Sequence, residues 1–195
     1  MKEITIRHIV CSLLLFLPSF VLAPTSKAQM LEGNKFVSAS VGRHLFRGDH
    51  IKSPMIATLG GGYFLSGGNY ISFGLDYAGM RMTPEDVPFK SQQYLVNFSY
   101  NALLLNNVTS KYNLYARVGA AVAFESHNNG EKKLENGSEL EKASNFSYGG
   151  VIDLHTDIYA TELLVLTISG GGNILFDSFY SRFQPFLLAG FKFYL

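Results

Sequence analysis

The sequence predicts an all-β protein, an eight-stranded antiparallel up-and-down transmembrane β-barrel. Three observations lead to this prediction. Apolar and polar side chains alternate along eight segments, as they do in strands that have two different faces. The 195 residues include 16 Phe, 11 Tyr and 19 Gly, and only 16% are charged, against about 25% in typical soluble proteins. The chain also opens on a segment typical of exported proteins.

Residues 1–28 have the parts of a cleaved signal peptide. Basic residues precede an apolar run at 9–23, and small residues stand at 26 and 28, as signal peptidase requires. We therefore expect cleavage after Ala28, which leaves residues 29–195 as a single outer-membrane barrel domain. A membrane anchor is the alternative reading, but the run is short for a spanning helix and Pro18 interrupts it.

The only cysteine, Cys11, lies inside that apolar run. The processed chain would then contain no thiol, which excludes disulfides, zinc–thiolate sites and cysteine nucleophiles. The formal net charge of +1 gives no reason to expect a nucleic-acid partner. We expect no cofactor.

The alternating segments are separated by turns and polar loops. In each segment one face is apolar and often aromatic, whereas the other carries Ser, Gly, Ala and single charges. The predicted strands are Lys35–Arg43, Met55–Leu65, Tyr70–Met80, Gln92–Asn101, Tyr112–Glu125, Phe146–Ile158, Leu163–Phe176 and Arg182–Leu195.

The small and polar face argues for a membrane barrel over a soluble β-sandwich. A soluble sheet needs an exterior rich in Lys and Glu, which neither face supplies. Small side chains suit the narrow lumen of an eight-stranded barrel, and a closed barrel pairs every backbone group within the bilayer. With an export signal in front, the expected location is the bacterial outer membrane.

The polar faces also predict a charge ladder inside the barrel. In the segment DLHTD, alternation directs Asp153, His155 and Asp157 to the lumen. A histidine between carboxylates could serve as a general base, but no local motif marks a serine nucleophile. We favour a structural role in which the carboxylates pair with cations. The predicted ladder consists of Asp76, Arg117, Asp153, His155, Asp157 and Lys192.

Two further patterns predict no chemistry. Of the histidines after residue 28, His44 and His50 are expected in the first long loop and His127 in the longest one, and none has metal-ligand spacing. The glycine triplets at 60–62 and 170–172 do not precede a helix, so they indicate bending or close packing within strands and not phosphate binding.

Residues 126–145 form the only long polar segment. If the N-terminus of the barrel is periplasmic, this connection is extracellular. It is either a solvated loop or a contact surface for a partner. The candidate contact residues are Glu131, Lys132, Lys133, Glu135, Glu139, Glu141 and Lys142.

Several short stretches together resemble the conjugative transposon TraO proteins of Bacteroidetes mobile elements. They are AFES at 123–126 with GE at 130–131, NFSYGG at 145–150, DIYATELLVL at 157–166 and FQPFLLAGFKFYL at 183–195. Leu195 stands where sequences of this family usually end in an aromatic residue. The resemblance implies a secreted outer-membrane component of a DNA-transfer apparatus, with no known catalytic residue.

We therefore expect a non-enzymatic structural component that acts by anchoring or contact. Its expected partners are outer-membrane lipid and other conjugative transfer proteins, with no small-molecule substrate. Direct contact with nucleic acid is not expected, because side chains fill so narrow a lumen. The alternatives are a small adhesin or surface-stability barrel and, less favoured, a lipid-modifying outer-membrane enzyme.

Overall fold

A computed structural model describes residues 32–46, 51–83, 88–107, 112–134 and 136–195. The predicted signal peptide lies outside the described residues. In the described part of the chain, no helix is long and apolar enough to cross a membrane.

Eight strands form one closed antiparallel barrel, which confirms the predicted fold. Each strand pairs with the next along the chain, and the last pairs with the first. The strands are β1 (Lys35–His44), β2 (Ile51–Phe64), β3 (Tyr70–Met82), β4 (Phe89–Asn107), β5 (Tyr112–His127), β6 (Ser144–Tyr159), β7 (Leu164–Phe176) and β8 (Phe183–Tyr194).

The fourth strand is longer than the sequence predicts. Its expected end was Asn101, yet β4 continues to Asn107. The strand stays paired with β5 beyond Asn101, because a bulge between Leu103 and Leu105 accommodates the break in the apolar–polar alternation.

The strand register is staggered around the barrel. A path of paired residues that starts at His44 returns to Asn34, the residue just before β1 and ten residues earlier in the chain. A stagger of this kind accompanies tilted strands, and eight strands leave a lumen that side chains can fill. The path runs through His44, Phe186, Gly171, Asp153, Arg117, Asn101, Tyr70, Phe64 and Asn34.

The outer wall is a belt of exposed apolar side chains. Leu59 on β2 and Val118 on β5 are 65% and 58% exposed, with many similar residues around the circumference. Aromatic pairs rim the belt near one end: Tyr77 with Tyr94, Phe124 with Phe146, and Tyr148 with Phe176, their ring centroids 5.3, 5.3 and 5.7 Å apart. An apolar belt with an aromatic girdle is the surface of a barrel that spans a bilayer.

The two ends of the barrel differ. Short turns at 65–69 and 160–163 lie at one end, and the connections 128–143 and 177–182 lie at the other. Outer-membrane barrels place their short turns in the periplasm, so we call these the periplasmic and extracellular ends. A buried cluster closes the lumen at the periplasmic end. This periplasmic aromatic cluster consists of Phe36, Phe64, Tyr70, Tyr115, Val165 and Tyr194.

Candidate functional site

A buried ion pair occupies the lumen next to the periplasmic aromatic cluster. Lys192 on β8 donates from Nζ to Oδ2 of Asp157 on β6 at 2.7 Å. The other carboxylate oxygen of Asp157 accepts from the Thr167 hydroxyl at 2.9 Å. The ammonium group also lies 4.5 Å from the centre of the Tyr70 ring, within the range of a cation–π interaction. The pair therefore links β8 and β6 across the lumen to β3.

Tyr70 connects this ion pair to His155. Lys192 Nζ lies 2.6 Å from the Tyr70 hydroxyl, and that hydroxyl lies 2.6 Å from His155 Nε2. An ammonium group can only donate, so the Tyr70 oxygen accepts from Lys192 and its hydrogen goes to Nε2. The other ring nitrogen, Nδ1, then donates to Asp153 Oδ1 at 2.9 Å. This network assigns His155 as a neutral imidazole that carries its proton on Nδ1.

Arg117 completes the network. Its Nε donates to Asp153 Oδ2, so both oxygens of that carboxylate are bonded. The His155 ring also stacks on Tyr115, with centroids 5.2 Å apart and planes at 12°. Two cations and two carboxylates thus balance one another inside the barrel. Both nitrogens of His155 are engaged, so this ring carries no free base.

Among the described residues, Asp76 forms no ion pair with the other predicted ladder residues. Its Oδ2 accepts a long 3.4 Å hydrogen bond from Asn97, and its Oδ1 has no hydrogen-bond partner among the described residues. Asp76 and Arg117 line a small cavity of about 10 Å³. A separate cavity of about 80 Å³ is lined in part by Asn97, Asn101 and Arg117, and it has room for water molecules that would hydrate the open side-chain oxygens of Asn97 and Asn101.

The sequence reasoning missed Tyr70 and Tyr115 as members of the network. Alternation in β3 and β5 places both on the lumenal face, which was the available signal. Their roles depend on contacts across the lumen, and the alternation of a single strand does not show which strands face each other.

The extracellular mouth is closed by the loop between β7 and β8, residues 177–182. The fully buried Glu125 on β5 holds this loop in place. One carboxylate oxygen accepts from the Phe179 backbone N–H at 2.8 Å, and the other accepts from the Ser178 hydroxyl at 2.6 Å. Gln93 and Ser147 donate to the same carboxylate at 3.0 and 3.1 Å. Four donors on one buried carboxylate fold the loop into the barrel mouth.

A second contact seals the same end. The Ser91 hydroxyl lies 2.5 Å from both His127 Nδ1 and the Tyr180 hydroxyl. Burial raises the pKa of Tyr180, so its phenol stays protonated and can donate. The Phe179 ring packs against the His127 ring at 4.1 Å between centroids. Ser91, Phe179 and Tyr180 therefore enclose His127.

Two histidine predictions were wrong. His127 was expected in the longest loop, but it is the buried last residue of β5. His44 was expected in the first loop, but it ends β1 and is also buried. In both places the strand extends past the predicted boundary and its last inward position falls on the histidine. His50 lies outside the described residues.

Glu125→Gln should loosen the extracellular loop. The amide keeps one oxygen as an acceptor, and its NH2 group replaces the other oxygen, so it faces either the Phe179 N–H or the Ser178 side. A buried donor then loses its acceptor at a cost of about 1–3 kcal/mol. We expect faster tryptic cleavage after Arg182 in the folded, membrane-embedded protein, followed by mass spectrometry. The exposed Glu131→Gln should not change that rate, and equal rates in both variants would contradict the role of Glu125.

The predicted contact loop is an ordered hairpin. It is shorter than predicted, because β5 ends at His127 and β6 begins at Ser144. Lys133 pairs with Glu139 across the hairpin, and the Leu134 N–H donates to the Ser138 carbonyl at 2.8 Å. The charged residues that the structure describes here are all exposed: Glu131, Lys132, Lys133, Glu139, Glu141 and Lys142. Glu135 lies outside the described residues.

The base of this hairpin contacts the loop between β7 and β8, residues 177–182. Lys142 Nζ lies 3.6 Å from a carboxylate oxygen of Asp177, and the Asn145 side-chain amide donates to the Asp177 carbonyl. The base of the hairpin is therefore fixed to the loop that closes the extracellular end of the barrel. In the described part of the chain, no group of three or more His, Cys, Asp or Glu side chains is arranged to hold a metal ion.

The closed barrel, its apolar belt and its filled lumen define a bacterial outer-membrane β-barrel protein. The model of the family described as conjugative transposon protein TraO matches residues 31–195. The chain belongs to this family, which confirms the resemblance found in the sequence. None of the curated proteins matches the chain significantly.

Solved outer-membrane barrels share the fold. Ail, the attachment invasion locus protein of Yersinia pestis, matches with a TM-score of 0.57 and 12% identity, over 85% of this chain and 100% of Ail. OprG from Pseudomonas aeruginosa matches with a TM-score of 0.55 and 9% identity, over 87% of this chain and 99% of OprG. Neisserial surface protein A matches with a TM-score of 0.50 and 14% identity, over 83% and 99% of the two chains.

Proposed function

We propose that this barrel is a structural outer-membrane component of a conjugative DNA-transfer apparatus and that it acts by anchoring and contact. Family membership supports the link to transfer. The observation that carries the mode of action is the occupied lumen, closed at one end by the periplasmic aromatic cluster and at the other by the loop held on Glu125. In this proposal residues 1–28 are removed on export.

The filled lumen argues against a DNA conduit. Its described cavities measure about 80 and 10 Å³, whereas a strand of nucleic acid needs a continuous open channel. The side chains that would have to move include the Lys192–Asp157 pair, and separating a buried ion pair is costly. DNA would therefore pass through another component, and this barrel would contribute its surfaces.

The state of the lumenal polar groups supports a structural role for the charge ladder. Both ring nitrogens of His155 are hydrogen-bonded, to Tyr70 and to Asp153. A catalytic base needs a free lone pair facing its substrate. We propose that the ladder stabilises the barrel through these contacts, and that Asp76 contributes without an ion pair to the other described members.

The extracellular hairpin is the proposed contact surface. It is ordered by its own backbone hydrogen bonds and carries exposed charges of both signs. Such a surface favours a protein partner with a complementary charge pattern.

Removal of the hairpin tests this proposal. Residues 131–141 would be replaced by a short Gly-Ser linker in the host element, and transfer frequency would be measured together with outer-membrane fractionation. We expect transfer to fall toward the level of an element that lacks the gene, while the barrel remains in the membrane and keeps its heat-modifiable migration. The fall follows from loss of the contact surface, and the strands are untouched.

Charge-neutral replacement of the exposed hairpin residues keeps the hairpin backbone and should also lower transfer, because the proposed partner recognises the charges. Normal transfer without the hairpin would contradict contact through this loop. Normal transfer after deletion of the whole gene would contradict a conjugative function and favour the adhesin or surface-stability alternative.

A further inference from the structure

Two cations stand directly opposite each other on the outer wall. Arg81 on β3 pairs with Lys90 on β4, and both side chains are exposed on the outward face. Like charges directly across an antiparallel pair repel each other. Among the described residues, no carboxylate forms a salt bridge with either one. Within the described part of the chain, the two cations are therefore left without a carboxylate partner and can accept an added anion.

The same two strands carry an aromatic pair closer to the membrane centre. Tyr77 faces Tyr94 four residues along the strands from the cations, a separation of about 13 Å along the strand. The Tyr94 hydroxyl donates to Gln92 Oε1 at 3.3 Å. Tyrosine side chains at this position mark the boundary between hydrocarbon and headgroups, so the cations lie at headgroup level.

An apolar groove of about 600 Å³ begins at this aromatic pair and crosses the outer wall over five neighbouring strands, from β4 through β3, β2 and β1 to β8. Tyr77 and Tyr94 line one end, Ala39 and Ala57 contribute small side chains, and Phe191 on β8 lines the other end. The groove lies within the lipid-facing belt, where hydrocarbon is the surrounding solvent.

We propose that Arg81, Lys90 and this groove form a binding site for a phosphate-bearing lipid of the outer leaflet. The phosphate would lie between the two cations, where arginine can donate two parallel hydrogen bonds and lysine acts as a point charge. One acyl chain would lie in the groove. The tyrosine pair lies between the cations and the groove, which is the order of headgroup, interface and hydrocarbon in a lipid.

Fluorescence quenching in bilayers tests the proposal directly. The sequence contains no tryptophan, so Tyr77→Trp supplies a single reporter at the upper end of the groove. The folded variant would be placed in vesicles containing brominated phosphatidic acid or brominated phosphatidylcholine. One basic residue near a membrane surface changes binding about fivefold, so we expect phosphatidic acid to be preferred at least about fivefold at this reporter.

Three variants locate the effect. Arg81→Gln with Lys90→Gln should abolish the preference, whereas Lys132→Gln with Lys133→Gln removes the same charge from the hairpin and should leave it unchanged. A reporter on β6, Ile152→Trp, should show no preference. Equal loss in both charge variants would mean diffuse attraction and would overturn a defined site.

Two further outcomes would also overturn the proposal. One is an equal affinity for both lipids at the Tyr77→Trp reporter. The other is loss of the preference when excess inorganic phosphate is added, because that result would assign the cations to a free anion. The measurement needs no transfer assay, so its result is independent of the conjugative function.

Discussion

Lys192→Met is expected to lower the free energy of unfolding by about 3–5 kcal/mol, the cost of breaking a buried ion pair by removing one partner. The change leaves Asp157 buried with Thr167 as its remaining described side-chain partner. It also removes the donor that orients the Tyr70 hydroxyl toward His155. Urea unfolding from lipid vesicles, followed by the loss of heat-modifiable migration, measures the effect.

Two comparisons isolate the ion pair from the loss of a long side chain. Lys142→Met makes the same substitution in the exposed pair with Asp177, where a surface salt bridge contributes about 0–1 kcal/mol. Lys192→Met combined with Asp157→Asn removes the uncompensated charge, so it should be less destabilised than the sum of the single variants. Strictly additive losses would contradict coupling between Lys192 and Asp157.

The fold could be predicted because strand alternation is visible in sequence alone. Ile71, Phe73 and Leu75 alternate with Ser72 and Gly74, and the structure places the two sets on opposite faces of β3. The same reasoning directed Asp153, His155 and Asp157 to the lumen, where the structure has them. A period of two shows which face of the strand each side chain occupies, and that information suffices to predict a barrel.

The lumenal network could be predicted only in part, because its contacts cross the barrel. Tyr70 on β3 meets Lys192 on β8 and His155 on β6, and none of these strands are neighbours. Which residues meet depends on the stagger between β1 and β8, which becomes defined only when the barrel closes.

The extracellular mouth was not predicted for a related reason. Glu125 faces the lumen by alternation, but its role depends on the loop at 177–182 folding inward, and that segment has no periodic pattern. Its polar residues read equally well as a solvated turn. Burial of the Glu125 carboxylate becomes favourable only when the backbone N–H and hydroxyl groups of this loop donate hydrogen bonds to it.

Gly171→Ala is expected to destabilise the barrel by about 3 kcal/mol, the upper end of the usual range for overpacking. Gly171 on β7 pairs with Asp153 on β6, and a Cβ there would collide with the Asp153 Cβ and the Ile152 carbonyl oxygen. Both atoms belong to the backbone or its first carbon, so no side-chain rotation relieves the contact. The strand would have to shift, and the Arg117–Asp153 bond would shift with it. Folding yield and urea unfolding in vesicles measure the loss.

The adjacent residue provides a matched control for this prediction. A Cβ at Gly170 would face lipid, with its nearest neighbour, Leu187 Cδ1, at an ordinary contact distance of 3.7 Å. Gly170→Ala should therefore change stability by no more than about 0.5 kcal/mol, as expected for surface substitutions. The two variants change the same triplet by the same methyl group, so local strand propensity cancels between them. Equal stability of the two variants would contradict close packing at Gly171, and the triplet would then mark only local bending of β7.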